Sequence, residues 1–173
     1  MFIRSFFVAV LVALCLTTTD AAGAQAKPGK RILVKKSEHT MQVLGTDDKV
    51  LGNYTVSLGP GGAGPKKREG DRVTPVGRYH VTMHQPSQFK IFLRLDYPNA
   101  QDWERFQKLK KAGALPDGAK IGGDVGIHGG TPPGYNDGTP SHDWTLGCVA
   151  VDDDEIVEIA KLVPDGVIVD IED

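Results

Sequence analysis

Short apolar segments, separated by residues that interrupt regular structure, are the feature of this sequence that most limits its fold. The segment 59–65 consists of glycine and proline except for Ala63, and such a run stops any helix or strand that reaches it. The short apolar segments between such interruptions indicate β-strands rather than long helices. Strands are predicted at residues 31–36, 41–44, 50–58, 78–83, 89–95, 125–128, 149–151 and 167–171.

Two further segments have the spacing of amphipathic helices, at residues 100–111 and 153–163. Asp152 is a suitable N-cap for the second helix, and Gly113 is a plausible stop for the first. Their apolar positions are Trp103, Phe106 and Leu109 in the first helix and Ile156, Ile159, Ala160 and Val163 in the second. Because strands and helices do not alternate regularly, we expect a mainly β sandwich or barrel with two helices, not a doubly wound α/β fold.

The first two dozen residues have the layout of a secretory signal peptide. A basic start precedes an uncharged apolar run at residues 6–16, and Ala22-Gly23-Ala24 is a small-residue cleavage signal. The apolar run is shorter than the ~20 residues of a membrane-spanning helix, which makes an uncleaved anchor the less favoured alternative. The expected organisation is a signal peptide at 1–24, a short linker at 25–30 and one exported domain at 31–173. That domain is expected in the periplasm or cell envelope, without a stable membrane span after cleavage.

Charge and cysteine content narrow the function classes. The net charge is −2 and no long basic run is present, so nucleic acid is a poor candidate partner. Of the two cysteines, Cys15 leaves with the signal peptide and Cys148 remains alone. Since exported proteins usually pair their cysteines, a single thiol indicates either an intermolecular disulfide or a reactive site.

Glycine-flanked His128 and Cys148 are the strongest candidates for chemistry. A free thiol has a pKa of ~8.5, and a histidine within hydrogen-bonding distance can take its proton. Each residue lies at the end of a predicted strand, so the two meet if those strands are neighbours. Gly147 permits a tight turn that leaves N–H groups free for an oxyanion. These parts serve acyl transfer through a thioester, although a satisfied polar histidine and a buried apolar cysteine remain the alternatives.

Three motifs in order resemble the L,D-transpeptidase catalytic domain family of the YkuD type. They are Gly70-Asp71 followed by Thr74-Pro75-Val76-Gly77-Arg78-Tyr79, then Ile127-His128-Gly129, and then Asp143-Trp144-Thr145-Leu146-Gly147-Cys148. The resemblance spans nearly the whole chain after residue 30. It implies a β-sandwich with mixed sheets and a helix after the cysteine segment, which agrees with the reading from periodicity.

The resemblance also implies a reaction on bacterial peptidoglycan. Cys148 would be the nucleophile, His128 the general base, Gly129 the carbonyl that orients the imidazole, and Gly147 an oxyanion N–H. The thiol would attack the bond between an L-centre of a stem peptide and D-Ala, and an amine of a stem peptide, lipoprotein or D-amino acid would take the acyl group. No cofactor or metal is implied. Candidate substrate-binding residues are Thr145, Trp144, Asp143 and Arg78, the last being one of several cations in segment 66–78.

Two departures from the family pattern keep alternatives open. Leu146 replaces a histidine and Ala150 replaces an arginine or asparagine found in many members, so the same thioester could meet water instead of an amine. The alternative is then a cysteine hydrolase of peptidoglycan or peptidoglycan–lipoprotein links. A zinc peptidase using His128, His142 and Asp143 or Cys148, and a non-catalytic wall-binding module, are the remaining hypotheses.

Overall fold

The computed structural model describes residues 30–132, 134–135, 137–139 and 142–173, so the predicted signal peptide and most of the linker lie outside the described residues. The described residues form eight strands and two helices. The strands are β1 (Arg31–Lys35), β2 (Thr40–Leu44), β3 (Val50–Thr55), β4 (Gly77–Ser87), β5 (Lys90–Leu95), β6 (Gly126–His128), β7 (Val149–Ala150) and β8 (Ile168–Glu172). The helices are α1 (Ala100–Lys111) and α2 (Asp153–Leu162).

One continuous mixed sheet runs through all eight strands in the order β3-β2-β1-β8-β4-β5-β6-β7. The long strand β4 connects its halves, because Gly77 to His80 pair with β8 while the rest of the strand pairs with β5. β1 pairs with β8, and β6 with β7, in parallel; the other pairs are antiparallel. The predicted mainly β class with mixed pairing and two helices is therefore confirmed.

The third strand ends earlier than predicted, for a reason that concerns the site. β3 stops at Thr55, although the predicted face of Tyr54, Val56 and Leu58 is buried as expected. After Thr55 the chain crosses to β7, where Ser57 exchanges two backbone hydrogen bonds of 2.9 Å with Ala150. The segment after β3 therefore holds the strand that follows Cys148.

Local capping signals set the helices as predicted. The Asn99 side chain accepts hydrogen bonds from the N–H groups of Gln101 and Asp102 at the start of α1. Helix α2 begins just after β7, and the Glu155 carboxylate accepts the N–H of Asp152 at 3.0 Å. The apolar face of α2 is buried, with Ile156 and Ile159 fully enclosed. This packing fixes the strand end that carries the cysteine.

Within the described part of the chain, no helix has the length and apolar character needed to cross a membrane.

Candidate active site

The structure makes the two predicted strand ends neighbours. β6 and β7 pair in parallel, with Ile127 opposite Val149 and His128 opposite Ala150. His128 is the last residue of β6, and Cys148 immediately precedes β7. Both side chains line one open cleft of about 640 Å³. The sheet register therefore brings an imidazole and a thiol to the same edge.

Only one ring nitrogen of His128 is available for proton transfer. Nδ1 lies 2.6 Å from the carbonyl oxygen of Gly129. Because a carbonyl can only accept, Nδ1 must carry the hydrogen, which leaves Nε2 with its lone pair. The residue is only 3% exposed. This burial lowers the pKa of His128, against the opposing effect of the Gly129 hydrogen bond, so the imidazole is neutral at neutral pH.

Aromatic side chains hold the imidazole ring in place. The ring of Phe89 stacks on His128 with centroids 4.6 Å apart, and Phe92 stacks at 5.8 Å. Trp144 meets the imidazole edge-on at 5.6 Å. All three aromatic residues line the cleft, which gives it an apolar wall around the base. Such packing excludes water from the ring and accounts for its preference for the neutral form.

The surroundings of Cys148 favour the protonated thiol. It donates a hydrogen bond to the carbonyl oxygen of Asp124 at 3.6 Å. Burial raises the pKa of Cys148, although a hydrogen bond from the N–H of Gly126 and the charge of Lys66 act in the opposite direction. With the histidine also neutral, proton transfer would accompany attack on a substrate.

The turn before Cys148 has a backbone that favours glycine. Gly147 has φ +132°, and a Cβ there would lie 2.8 Å from the carbonyl oxygen of Val73. The N–H of Gly147 donates to Thr145 Oγ1 at 3.1 Å, and that hydroxyl donates to the Cys148 carbonyl at 2.8 Å. The N–H proposed from sequence as an oxyanion donor is thus engaged. In the described region, no group accepts a hydrogen bond from the N–H of Cys148.

The predicted substrate-binding residues separate into two groups. Trp144 and Thr145 line the cleft, as expected of residues that meet a substrate. Asp143 turns away from it: its carboxylate accepts the N–H of Leu58 at 2.6 Å and contacts His39 Nε2 at 3.1 Å. Arg78 is also absent from the cleft lining, and it pairs with Asp170 of β8 at 2.7 and 3.1 Å. Neither side chain lines the cleft, and both make contacts with other parts of the fold.

The ligands required by the zinc hypothesis are not assembled. His142 pairs with Asp137 at 3.1 Å, and Asp143 is taken by His39. Across residues 30–132, 134–135, 137–139 and 142–173, no three His, Cys, Asp or Glu side chains are grouped so that they could hold a metal ion.

The two positions that depart from the family pattern have opposite environments. Leu146 is 76% exposed at the cleft, immediately before Gly147. Ala150 is fully buried, and Ser57 covers its backbone.

Sequence reasoning included Thr74 in a family motif but did not predict its contacts with the cysteine segment. The hydroxyl of this buried residue accepts the N–H of Gly59 at 3.0 Å and approaches the Cys148 carbonyl at 3.4 Å. Upstream, Lys66 is buried in the cleft lining, although the sequence presents it as one of several scattered cations. For the burial of Lys66, the only local signal was the Gly70-Asp71 motif, because Asp71 accepts a hydrogen bond from Lys66 at 2.6 Å.

Comparisons with known proteins agree with this fold. The family model for the YkuD L,D-transpeptidase catalytic domain matches residues 29–171. The protein "Putative L,D-transpeptidase YafK" of Escherichia coli (strain K12) is 32% identical over 77 residues, which cover 41% of this chain and 31% of that protein.

Two solved structures share the fold. The helical cell shape determining protein Pgp2 from Campylobacter jejuni has a TM-score of 0.60 and 25% identity, covering 84% of this chain and 48% of its own. The L,D-transpeptidase from Xylanimonas cellulosilytica has a TM-score of 0.54 and 15% identity, covering 85% of this chain and 62% of its own. This chain thus spans less than two thirds of each of these relatives. On the family match, it belongs to the L,D-transpeptidase catalytic domain family of the YkuD type.

Proposed function

We propose that this protein is an exported cysteine acyltransferase of peptidoglycan stem peptides, an L,D-transpeptidase. The observation that carries the proposal is the shared cleft of Cys148 and His128, with Nδ1 of the histidine tied to the Gly129 carbonyl. That bond leaves Nε2 as the base. The family membership supplies the reaction class, and the name of Pgp2, a protein that determines cell shape, is consistent with a wall substrate.

The proposed first half-reaction releases D-Ala. Nε2 of His128 takes the proton of the Cys148 thiol while the sulfur attacks the carbonyl carbon of the L-centre–D-Ala bond. The N–H of Cys148 is the backbone donor available to the oxyanion. When the intermediate collapses, the imidazolium returns its proton to the departing amine of D-Ala. A thioester on Cys148 remains.

The proposed second half-reaction transfers the acyl group to an amine. The incoming amine attacks the thioester carbonyl and loses a proton to Nε2 of His128. The imidazolium then gives that proton to the departing thiolate. Trp144 and Phe89 would form the apolar wall along which the stem peptide lies. Thr145 would act indirectly, since its hydroxyl is used within the turn. Acceptors would be a stem peptide, a D-amino acid or a wall-linked lipoprotein.

Hydrolysis of the thioester is the second candidate function, and the side chains around Cys148 support it. Leu146 places an exposed aliphatic side chain at the cleft, and Ala150 has only a buried methyl group. Neither side chain can hydrogen-bond an acceptor or a stem carboxylate. In that reaction water would attack the same thioester, with the proton again passing through His128.

The proposal includes export and processing. Cleavage of a signal peptide at residues 1–24 would release a chain with a short linker at 25–30 and the catalytic domain at 31–173, placed in the periplasm. Mass measurement of the N-terminus of protein recovered from the cell envelope would test this. A mature N-terminus near residue 25 is expected, and a full-length cytoplasmic product would contradict it.

Product analysis separates the candidate functions. The protein is incubated with purified tetrapeptide muropeptides, with and without an added D-amino acid, and the products are identified by mass. New amide products support the transferase, and acceptor-independent tripeptides support the hydrolase. Cys148→Ala should abolish both. If that variant retains every function of the protein, the chain is a non-catalytic binding module.

A further inference from the structure

A buried lysine borders the turn that presents the thiol. Lys66 is only 6% exposed, yet it lines the same cleft as Cys148 and Gly147. Its Nζ lies 3.4 Å from the point where a side chain on Gly147 would begin. A charged ammonium is seldom buried without a partner and a purpose, because removal from water is costly. Because Lys66 lies next to the turn that carries Cys148, folding alone does not account for its burial.

Two contacts fix the ammonium and leave part of it unused. Nζ donates to Asp71 Oδ1 at 2.6 Å and to the carbonyl oxygen of Val73 at 3.3 Å. A lysine ammonium has three N–H donors. In the part of the chain that the structure describes, these two contacts account for two of them. Among those residues the third donor has no acceptor, and the side chain lines the cleft.

The carboxylate of Asp71 is stabilised by more than the lysine. Its oxygens also accept the backbone N–H groups of Lys67, Arg68 and Val73 at 2.7 to 3.0 Å. Burial alone would raise the pKa of Asp71, but the hydrogen bonds from Lys66 and the backbone outweigh it and hold the pKa low. The Asp71 carboxylate thus accepts hydrogen bonds from four donors, so it does not fully neutralise the charge of Lys66.

The cleft has few other groups that could meet a developing negative charge. His128 is neutral at rest, and Glu69 is acidic. The carboxylate of Asp124 also borders the cleft, and Arg94 pairs with it. Among the described residues that line the cleft, Lys66 is the sole lysine or arginine. Because the N–H of Gly147 already donates to Thr145, a charged donor next to this turn would take its place in stabilising an anion.

We propose that the ammonium of Lys66 stabilises the negative charge that develops at Cys148 and on the oxyanion during acyl transfer. This inference rests on the proposed function for its reaction. Lys66 keeps its proton throughout: the thiol proton goes to Nε2 of His128, the sulfur–carbon bond forms, and the ammonium lowers the energy of the resulting anion. Asp71 is the positioning residue for the ammonium.

The test measures charge at the thiol and needs no peptidoglycan. Cys148 is alkylated with neutral iodoacetamide and with anionic iodoacetate across pH, in the wild type and in Lys66→Gln, Lys66→Arg and Lys67→Gln. A cation near the sulfur favours the thiolate and the anionic reagent. Lys66→Gln should lower the iodoacetamide rate at neutral pH by about tenfold, which corresponds to one unit in the thiol pKa, and should also lower the preference for iodoacetate.

The variants discriminate charge from folding. Lys66→Arg keeps a cation and should retain most of the rate. Lys67→Gln changes an exposed neighbouring cation and should match the wild type. Thermal unfolding shows whether Lys66→Gln is folded. If the folded variant is alkylated at the wild-type rate, with the same pH midpoint and the same reagent preference, the proposal is overturned.

A second variant covers the case in which Lys66→Gln does not fold. Lys66→Met keeps most of the length of the side chain and removes its charge, so the iodoacetate preference should fall as in Lys66→Gln; a wild-type preference in folded Lys66→Met would overturn the proposal. Muropeptide turnover then separates the remaining outcomes. A raised KM in Lys66→Gln with unchanged alkylation makes Lys66 a substrate-carboxylate anchor and rejects the inference. Absent turnover of the wild type with the expected alkylation pattern counts against the proposed function alone.

Discussion

Two buried polar pairs flank the segment that leads to Cys148, and they serve it differently. Lys66 and Asp71 lie in the main cleft, 2.6 Å apart. His39 and Asp143 lie 3.1 Å apart at a separate cavity of about 180 Å³. Asp143 is close to Cys148 in sequence but turns away from the cleft, whereas Lys66 is distant in sequence and borders it.

The difference between the pairs lies in what each touches. Asp143 binds the backbone of Leu58 and the ring of His39, so it ties the cysteine segment to the chain after β3. Lys66 approaches the turn at Gly147, where charge would develop. One pair should therefore govern the stability of the segment, and the other the reactivity of its thiol.

The largest expected effect lies in the cleft itself. Replacing His128 by Gln removes the base while keeping a side chain of similar polarity. Turnover should fall roughly 100- to 10,000-fold, the usual contribution of general base catalysis. Steady-state turnover of muropeptides checks this, with near-ultraviolet circular dichroism as the control for folding. A variant that keeps more than a tenth of the activity would contradict the assignment.

A smaller loss is expected from the turn between the pairs. In Gly147→Ala, the new methyl group would lie 2.8 Å from the carbonyl oxygen of Val73 and would require a left-handed backbone. The strain should destabilise the fold by about 1–3 kcal/mol. Chemical denaturation measures this, and slower alkylation of Cys148 should accompany it. Unchanged stability would mean that the turn adjusts freely.

The His39–Asp143 pair should affect the stability of the fold and not the reactivity of the thiol. Asp143→Ala leaves the N–H of Leu58 and the ring of His39 without their acceptor, which should cost about 1–3 kcal/mol. The ratio of iodoacetate to iodoacetamide alkylation should stay at the wild-type value. If Asp143→Ala changes that ratio as much as Lys66→Gln does, the division of roles between the two pairs is wrong.

The pH profile should show the smallest effect. Burial lowers the pKa of His128, so the neutral imidazole persists to lower pH than in a free histidine. Activity is then fully present at neutral pH and declines only as pH falls through a midpoint below about 6.5. Measurement of kcat/KM from pH 4 to 8 checks this. A midpoint above 7 would indicate an imidazolium stabilised in the resting site.

Local patterns predicted most of the elements. The bounds of α1 were predicted correctly, because the spacing of its apolar residues and the stop at Gly113 are local signals; the N-cap Asn99 was not predicted. The spacing of Trp103 and Phe106 was a weaker guide to burial. Phe106 is buried, but Trp103 is 45% exposed, and the helix instead buries Asp102, which accepts a hydrogen bond from Tyr79.

The residues alone pointed to the two central side chains of the site, and the family resemblance added Gly129, Trp144 and Thr145. Glycine-flanked strand ends indicated that His128 and Cys148 could meet, and the sheet register brings them to one cleft. The direction of Asp143 depends on Leu58 and His39, and the burial of Lys66 depends on Asp71 and the turn at Gly147. These contacts form only in the folded chain, so no local spacing reports them.

The covalent intermediate provides the most direct test of the central claim. The protein is mixed with a tetrapeptide muropeptide, quenched in acid within a turnover, and analysed by intact mass and peptide mapping. The account predicts a mass gain equal to the donor minus D-Ala, located on Cys148, labile to hydroxylamine and absent in Cys148→Ala. D-Ala release by Cys148→Ala, or turnover without any adduct on Cys148, would contradict it.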